Sequence, residues 1–143
     1  MKVVKPRRAS HTYRQTLSAP AAKVFPLLRP VRELEWAEGW EPRLVVSADG
    51  AAGRDAAAPT PPEAAEAIWY VTRHEPGEGF VEMLKITPGV TACRLEIQLH
   101  DAPHGCFADV TYTHTSLSPE GDAFVDRFDA AYYREFMRSW ENE

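Results

Sequence analysis

Hydrophobic and polar residues alternate with a period of two along most of this chain, and that period gives way to a helical one at two places. From Ala9 to Leu17, the residues His11, Tyr13 and Leu17 fall on one side and Ser10, Thr12, Arg14 and Thr16 on the other. This predicts a strand with one wet face. Ser18-Ala19-Pro20 follows as a helix start, with Ser or Ala as cap and Pro in the first turn, leading into Ala21-Ala22-Lys23-Val24-Phe25. Pro26 and Pro30 remove backbone donors soon afterwards, so two short helical pieces in a V are predicted over 20–36 in place of one long helix. Glu41 to Ser47 reads as a second strand centred on Arg43-Leu44-Val45-Val46, with a turn at Asp49-Gly50.

Residues 51–66 are almost entirely Ala, Pro, Glu, Gly and Thr, without periodicity or an aromatic side chain, and read as a mobile loop. Four strand-like segments follow, Ala67 to His74, Gly79 to Thr87, Thr91 to His100 and Cys106 to Ser116. Their separators, Glu75-Pro76-Gly77, Pro88-Gly89 and Ala102-Pro103-His104-Gly105, are turn chemistry at hairpin spacing, which predicts an antiparallel meander. Ser118-Pro119-Glu120-Gly121 then starts a helix. Phe124, Phe128, Ala131, Tyr132, Phe136 and Trp140 recur at steps of three and four, a stripe down one face of a single helix of about 22 residues, roughly 33 Å long.

The 143 residues fit one domain spanning the chain, large enough to bury roughly 70% of its unfolded surface without disulfides or a structural metal. A composition of 44% hydrophobic and 26% charged residues excludes a wholly disordered chain. The net charge of -5, with both signs scattered, lacks the basic footprint of a nucleic-acid binder. Lys2, Lys5, Arg7 and Arg8 read as a solvated tail. No apolar run approaches the roughly 18 residues of a membrane span, and the polar N-terminus lacks the apolar stretch of a secretion signal, so the expected compartment is the cytoplasm. In a hairpin turning near Pro103, Cys93 falls opposite a residue near Thr113 and far from Cys106, which predicts two reduced, structural thiols.

The order of elements, one strand, two short helices, several antiparallel strands and a long terminal helix, resembles the helix-grip fold of the START-like (SRPBCC, birch-pollen-allergen-like) superfamily. Ser18 to Phe25 is similar to the strand-to-helix junction common there. Val24-Phe25-Pro26-Leu27-Leu28-Arg29-Pro30-Val31-Arg32-Glu33-Leu34-Glu35-Trp36 with Gly39-Trp40, and Val110-Thr111-Tyr112-Thr113-His114-Thr115-Ser116-Leu117-Ser118-Pro119-Glu120-Gly121, resemble a bacterial subgroup of unassigned function. The resemblance implies an α+β fold, a curved antiparallel sheet of six or seven strands gripping the terminal helix around a cavity for a hydrophobic molecule, of the lipid or polyketide kind. Where the subgroup often has Cys this chain has Arg29, so no role of that thiol carries over. The family's short strand after the Asp49-Gly50 turn falls here on the Ala/Pro-rich segment, and the sheet is expected to lack or shorten it.

Trp36, Trp40 and Trp69 supply large rings, the first two placed to wall a cavity mouth or to seal the core under the helices. Glu33 and Glu35 diverge on a helix and cannot form a carboxylate pair, whereas Arg32 is suited to a forked contact with a ligand anion or to a surface ion pair. Val110, Tyr112 and His114 share a strand face opposite Asp109, Thr111, Thr113 and Thr115, so the first set is predicted to point inward. His114 is thereby a candidate proton donor to a carbonyl, or a core histidine held by a backbone carbonyl. His100 and His104 flank a turn and, with His114, lack metal-site spacing. Nucleophile, metal and phosphate-loop motifs are missing, and no cofactor is expected.

The leading expectation is binding of a hydrophobic or aromatic small molecule, as carrier, sensor or sequestering protein, by a monomer or homodimer that engages neither nucleic acid nor membrane. The expected ligand contacts are Phe25, Trp36, Trp40, Trp69, Val110, Tyr112, His114, Phe128 and Tyr132. Two other readings stay open. One is a metal-free cyclase, dehydratase or hydrolase-like enzyme using His114 or Tyr112 with Arg32, and the other an interaction domain with a filled core.

Overall fold

The structure, a computed structural model, describes residues 1–28, 57–59 and 67–141. Strand β1 (Arg8–Leu17) leads into α1 (Ala21–Val24) and a 3-10 turn (Phe25–Leu28). Pro20 lies just before α1, not in its first turn as predicted, and its carbonyl accepts from the amides of Lys23 and Val24 at 2.9 and 3.2 Å. Predictions for 29–56 and 60–66, including the second helical piece, the strand at 41–47, Arg32, Trp36 and Trp40, lie outside the described residues.

The meander is β3 (Ile68–Glu75), β4 (Phe80–Thr87), β5 (Thr91–Ala102) and β6 (Gly105–Ser116). Together with β1 and a three-residue β2 (Ala57–Pro59) these strands form one antiparallel sheet in the order β1-β6-β5-β4-β3-β2. β2 lies inside the segment read from composition as a loop. Its partner β3 supplies the backbone hydrogen-bonding edge that composition cannot reveal. The first strand pairs with the last, from Arg8 opposite Thr115 to Leu17 opposite Cys106.

Alternation sorts the two faces. Inward lie Gln15 of β1, Val81 and Met83 of β4, Cys93, Leu95, Ile97 and Leu99 of β5, and the even positions of β6 from Cys106 to His114, all buried. The outer face is polar: Ser10 bonds Thr113, Thr12 bonds Thr111, and Arg14 forks onto Asp109 with two bonds of 2.8 Å. Cys93 stands opposite His114 and Cys106 opposite Asp101, and both thiols are free and buried.

The β4–β5 turn fixes where the terminal helices begin. Gly89 takes φ +72° there, a left-handed conformation suited to Gly, and the Val90 carbonyl accepts from the Leu117 amide at 2.8 Å. Gly121 presses on the same carbonyl, where any side-chain carbon would overlap the oxygen. This close approach explains a glycine in the first turn of α2 (Pro119–Arg127), whose Ser118 cap accepts from the Gly121 amide at 3.2 Å as predicted.

The predicted single terminal helix is broken. α2 ends at Phe128, whose φ of -80° and ψ of 72° leave helical geometry, and α3 (Ala130–Glu141) restarts with the Asp129 carboxylate accepting from the Tyr132 amide at 2.8 Å. An Asp in that position caps a new helix better than it continues an old one. The break rotates the apolar face by one residue. Phe128, Tyr133 and Met137 are buried, while Tyr132 and Phe136 of the expected stripe are 50% and 40% exposed. The side chain of Trp140 lies outside the described residues.

Truncation tests this assignment. Phe128→Ala and Tyr133→Ala are each expected to cost roughly 3–5 kcal/mol in urea unfolding, and Tyr132→Ala about 1 kcal/mol or less. Equal losses at Tyr132 and Tyr133 would restore the continuous helix. Deleting the chain after Pro119 is expected to abolish cooperative melting, because the inner sheet face would lose its aromatic cover.

Candidate functional site

Antiparallel register places four chemically distinct side chains in one row across the inner face. His114 of β6 stands opposite Cys93 of β5, Cys93 opposite Lys85 of β4, and Lys85 opposite Trp69 of β3. An imidazole, a thiol, an amine and an indole thus sit on neighbouring strands about 4.8 Å apart. The main helix contacts fall on β1, β5 and β6, so the row runs from beneath α2 toward the less covered strands.

His114 is enclosed by rings: Phe128 at 4.3 Å and Phe124 at 4.9 Å between centroids, both edge-on, and Tyr112 stacked at 5.8 Å. Its Nε2 lies 3.9 Å from the Cys93 Sγ, and its buried Nδ1 has no hydrogen-bond partner among the described residues. The backbone-carbonyl partner considered for this histidine is therefore absent among them. Burial, aided by the charge of Lys85, holds its pKa down to about 4, so the ring is neutral at pH 7. Burial pushes the Cys93 thiol up to about 12. A thiolate–imidazolium pair needs the opposite order, so the two form a neutral thiol–imidazole contact and not an activated nucleophile.

Lys85 is half-buried, with its Nζ 5.2 Å from the centre of the Trp69 ring. Desolvation lowers its pKa. Among the described residues it makes no ion pair and no hydrogen bond, whereas Arg7, Arg14, Arg73 and Arg94 each meet a carboxylate.

Of the other residues expected at the site, Val110 and Tyr112 are buried on the inner face, and the Val110 carbonyl accepts from the Tyr133 hydroxyl. Phe25 is buried against the His74 ring at 5.1 Å, and Trp69 packs against the core edge. Phe128 and Tyr132 touch at 5.9 Å, with Phe128 buried and Tyr132 half-exposed for the reason given by the helix break. Thr113, expected on the wet face, is buried beneath its bond to Ser10. Sequence reasoning missed Lys85 and Cys93. The signal was present, since Val81, Met83 and Lys85 continue one period-two face, and a lysine there interrupts an inward apolar series.

The architecture has clear structural counterparts. A truncated norcoclaurine synthase from Thalictrum flavum superposes with a TM-score of 0.71 over 98% of this chain and 94% of that one, at 13% identity. The chain has the helix-grip fold. The same synthase in complex with dopamine and hydroxybenzaldehyde gives 0.66 over 94% and 84% at 12% identity, and Ara h 8.0201 gives 0.65 over 94% and 91% at 10%. No protein-family model matches the chain, and no curated protein matches it. Among the described residues no helix is long and apolar enough to cross a membrane.

The depressed His114 pKa makes stability depend on pH. An unfolded chain takes up this proton near 6.5 and the folded one near 4, so between those values the unfolded state binds more protons. Stability is therefore full above about 6.5 and falls toward pH 4, by up to about 3 kcal/mol from this group. Thermal midpoints taken from pH 7 to 4 should drop less steeply in His114→Leu than in the parent. Parallel slopes would assign the proton uptake to another group.

Proposed function

We propose that the protein binds a hydrophobic or aromatic small molecule against the inner face of its sheet, acting as a carrier, sensor or sequestering protein in the cytoplasm. The observation that carries this reading is the row Trp69–Lys85–Cys93–His114, polar and aromatic groups set into a largely apolar face of a helix-grip fold. Ligand sites are typically apolar surfaces with a few polar groups that orient the occupant. The structural counterpart holding dopamine and hydroxybenzaldehyde supports small aromatic molecules as the size class. Phe25, Tyr112 and Phe128 are proposed to extend the ring-lined surface, with the half-exposed Tyr132 at its margin, and Trp36 and Trp40 to complete it.

Binding is favoured over proton-transfer catalysis. A neutral histidine with a pKa of about 4, boxed by rings and facing an un-ionised thiol, is a poor proton donor at neutral pH. Arg32, Tyr112 and His114 then serve, in this reading, as ligand contacts and not as an acid–base set.

Native mass spectrometry of the purified protein should reveal a non-covalently held small molecule, and N-phenyl-1-naphthylamine should gain fluorescence on titration. Trp69→Ala is expected to weaken that dye at least about tenfold, and Thr111→Ala on the outer face to leave it unchanged. A folded protein that takes up neither ligand nor dye would favour the filled interaction domain instead.

A further inference from the structure

The charge balance of the inner face points to the chemistry of the ligand. Along β1, β3, β4, β5 and β6 the described inward positions carry one permanent cation, Lys85, and the only carboxylate in that alternation is Asp101, at the far end of β5. Asp101 lies eight residue steps along the strand from Cys93, roughly 27 Å. Lys85 therefore has a ring beneath it and, among the described residues, no carboxylate to receive its three donors.

A second polar group without a partner among the described residues lies in the same row. The Cys93 sulfur and the His114 Nε2 are in contact at 3.9 Å, with either able to donate, and the buried His114 Nδ1 has no hydrogen-bond partner among the described residues. Buried donors in folded proteins are nearly always satisfied, and the half-buried Lys85 ammonium in this inward row meets no carboxylate among the described residues. Lys85 is close enough to His114 for its charge to disfavour protonation of the ring.

We infer that the ligand is an organic anion, a hydrophobic or aromatic body bearing one carboxylate or comparable oxyanion, and that Lys85 over Trp69 is its anchor. The inference rests on the ligand-binding reading and adds the charge of the head group to it. A half-buried ammonium is screened less than a surface one, so the anion contributes affinity even in salt. The apolar rings around His114 and Tyr112 would take the body, with the oxyanion held at the Lys85 side of the row.

Two dyes with the same ring skeleton separate the two claims. 1-Anilinonaphthalene-8-sulfonate carries an oxyanion and N-phenyl-1-naphthylamine does not. The parent protein should prefer the sulfonate by about tenfold in 0.5 M salt, Lys85→Met should lose that preference while binding the neutral dye within about twofold, and Lys85→Arg should keep it. Met matches the buried stem of Lys in volume, and its cooperative melting is checked first, with Lys85→Gln as the second variant. A sulfonate preference that survives in folded Lys85→Met or Lys85→Gln would overturn the anchor and leave ligand binding standing. Failure of both dyes to bind the parent would overturn the underlying reading as well.

Discussion

The packing of Phe128, Tyr133 and Met137 onto the first and last strands is the contact on which the rest of this molecule depends. A sheet with one apolar face is not stable until that face is covered, and here the cover comes from the chain's last helices. The break between α2 and α3 sets which rings face inward, because one non-helical residue shifts the buried positions from Tyr132 to Tyr133 and from Phe136 to Met137. The Tyr133 hydroxyl then closes onto the Val110 carbonyl, tying helix to sheet through a buried hydrogen bond.

That same cover creates the chemistry of the row beneath it. Phe124 and Phe128 strip water from His114, and desolvation holds the imidazole neutral, keeps the Cys93 thiol protonated and weakens the proton affinity of Lys85. Packing and electrostatics are thus one effect seen twice. The groups are held in their uncharged or least hydrated states, which suits orientation of a bound molecule better than acid–base turnover. The outer face behaves differently, since Arg14, Asp109 and His100 form a polar network of direct side-chain contacts there.

The distance between this chain and its structural counterparts sharpens the point. At 10–13% identity, the helix-grip order of elements persists with TM-scores of 0.65–0.71. What persists at this identity is the covered sheet, which a fold can share without sharing a function.

Local pattern alone determined the strands β1 and β3 to β6, their turns and the start of α2, because period-two alternation, Pro and Gly act over a few residues. It also placed Val110, Tyr112 and His114 inward and kept the two cysteines apart. Tertiary structure decided the rest. Strand β2 exists through the edge of β3, and the helix break depends on Asp129 capping a new turn while Phe128 drops into the core. The row from Trp69 to His114 needed the register of four strands at once. A single strand shows which face a lysine occupies, but only its neighbours decide whether an acceptor waits beside it. Nothing along the chain reports desolvation, which comes from atoms distant in sequence, and so the charge state of the site became visible only when the sheet and helices were brought together.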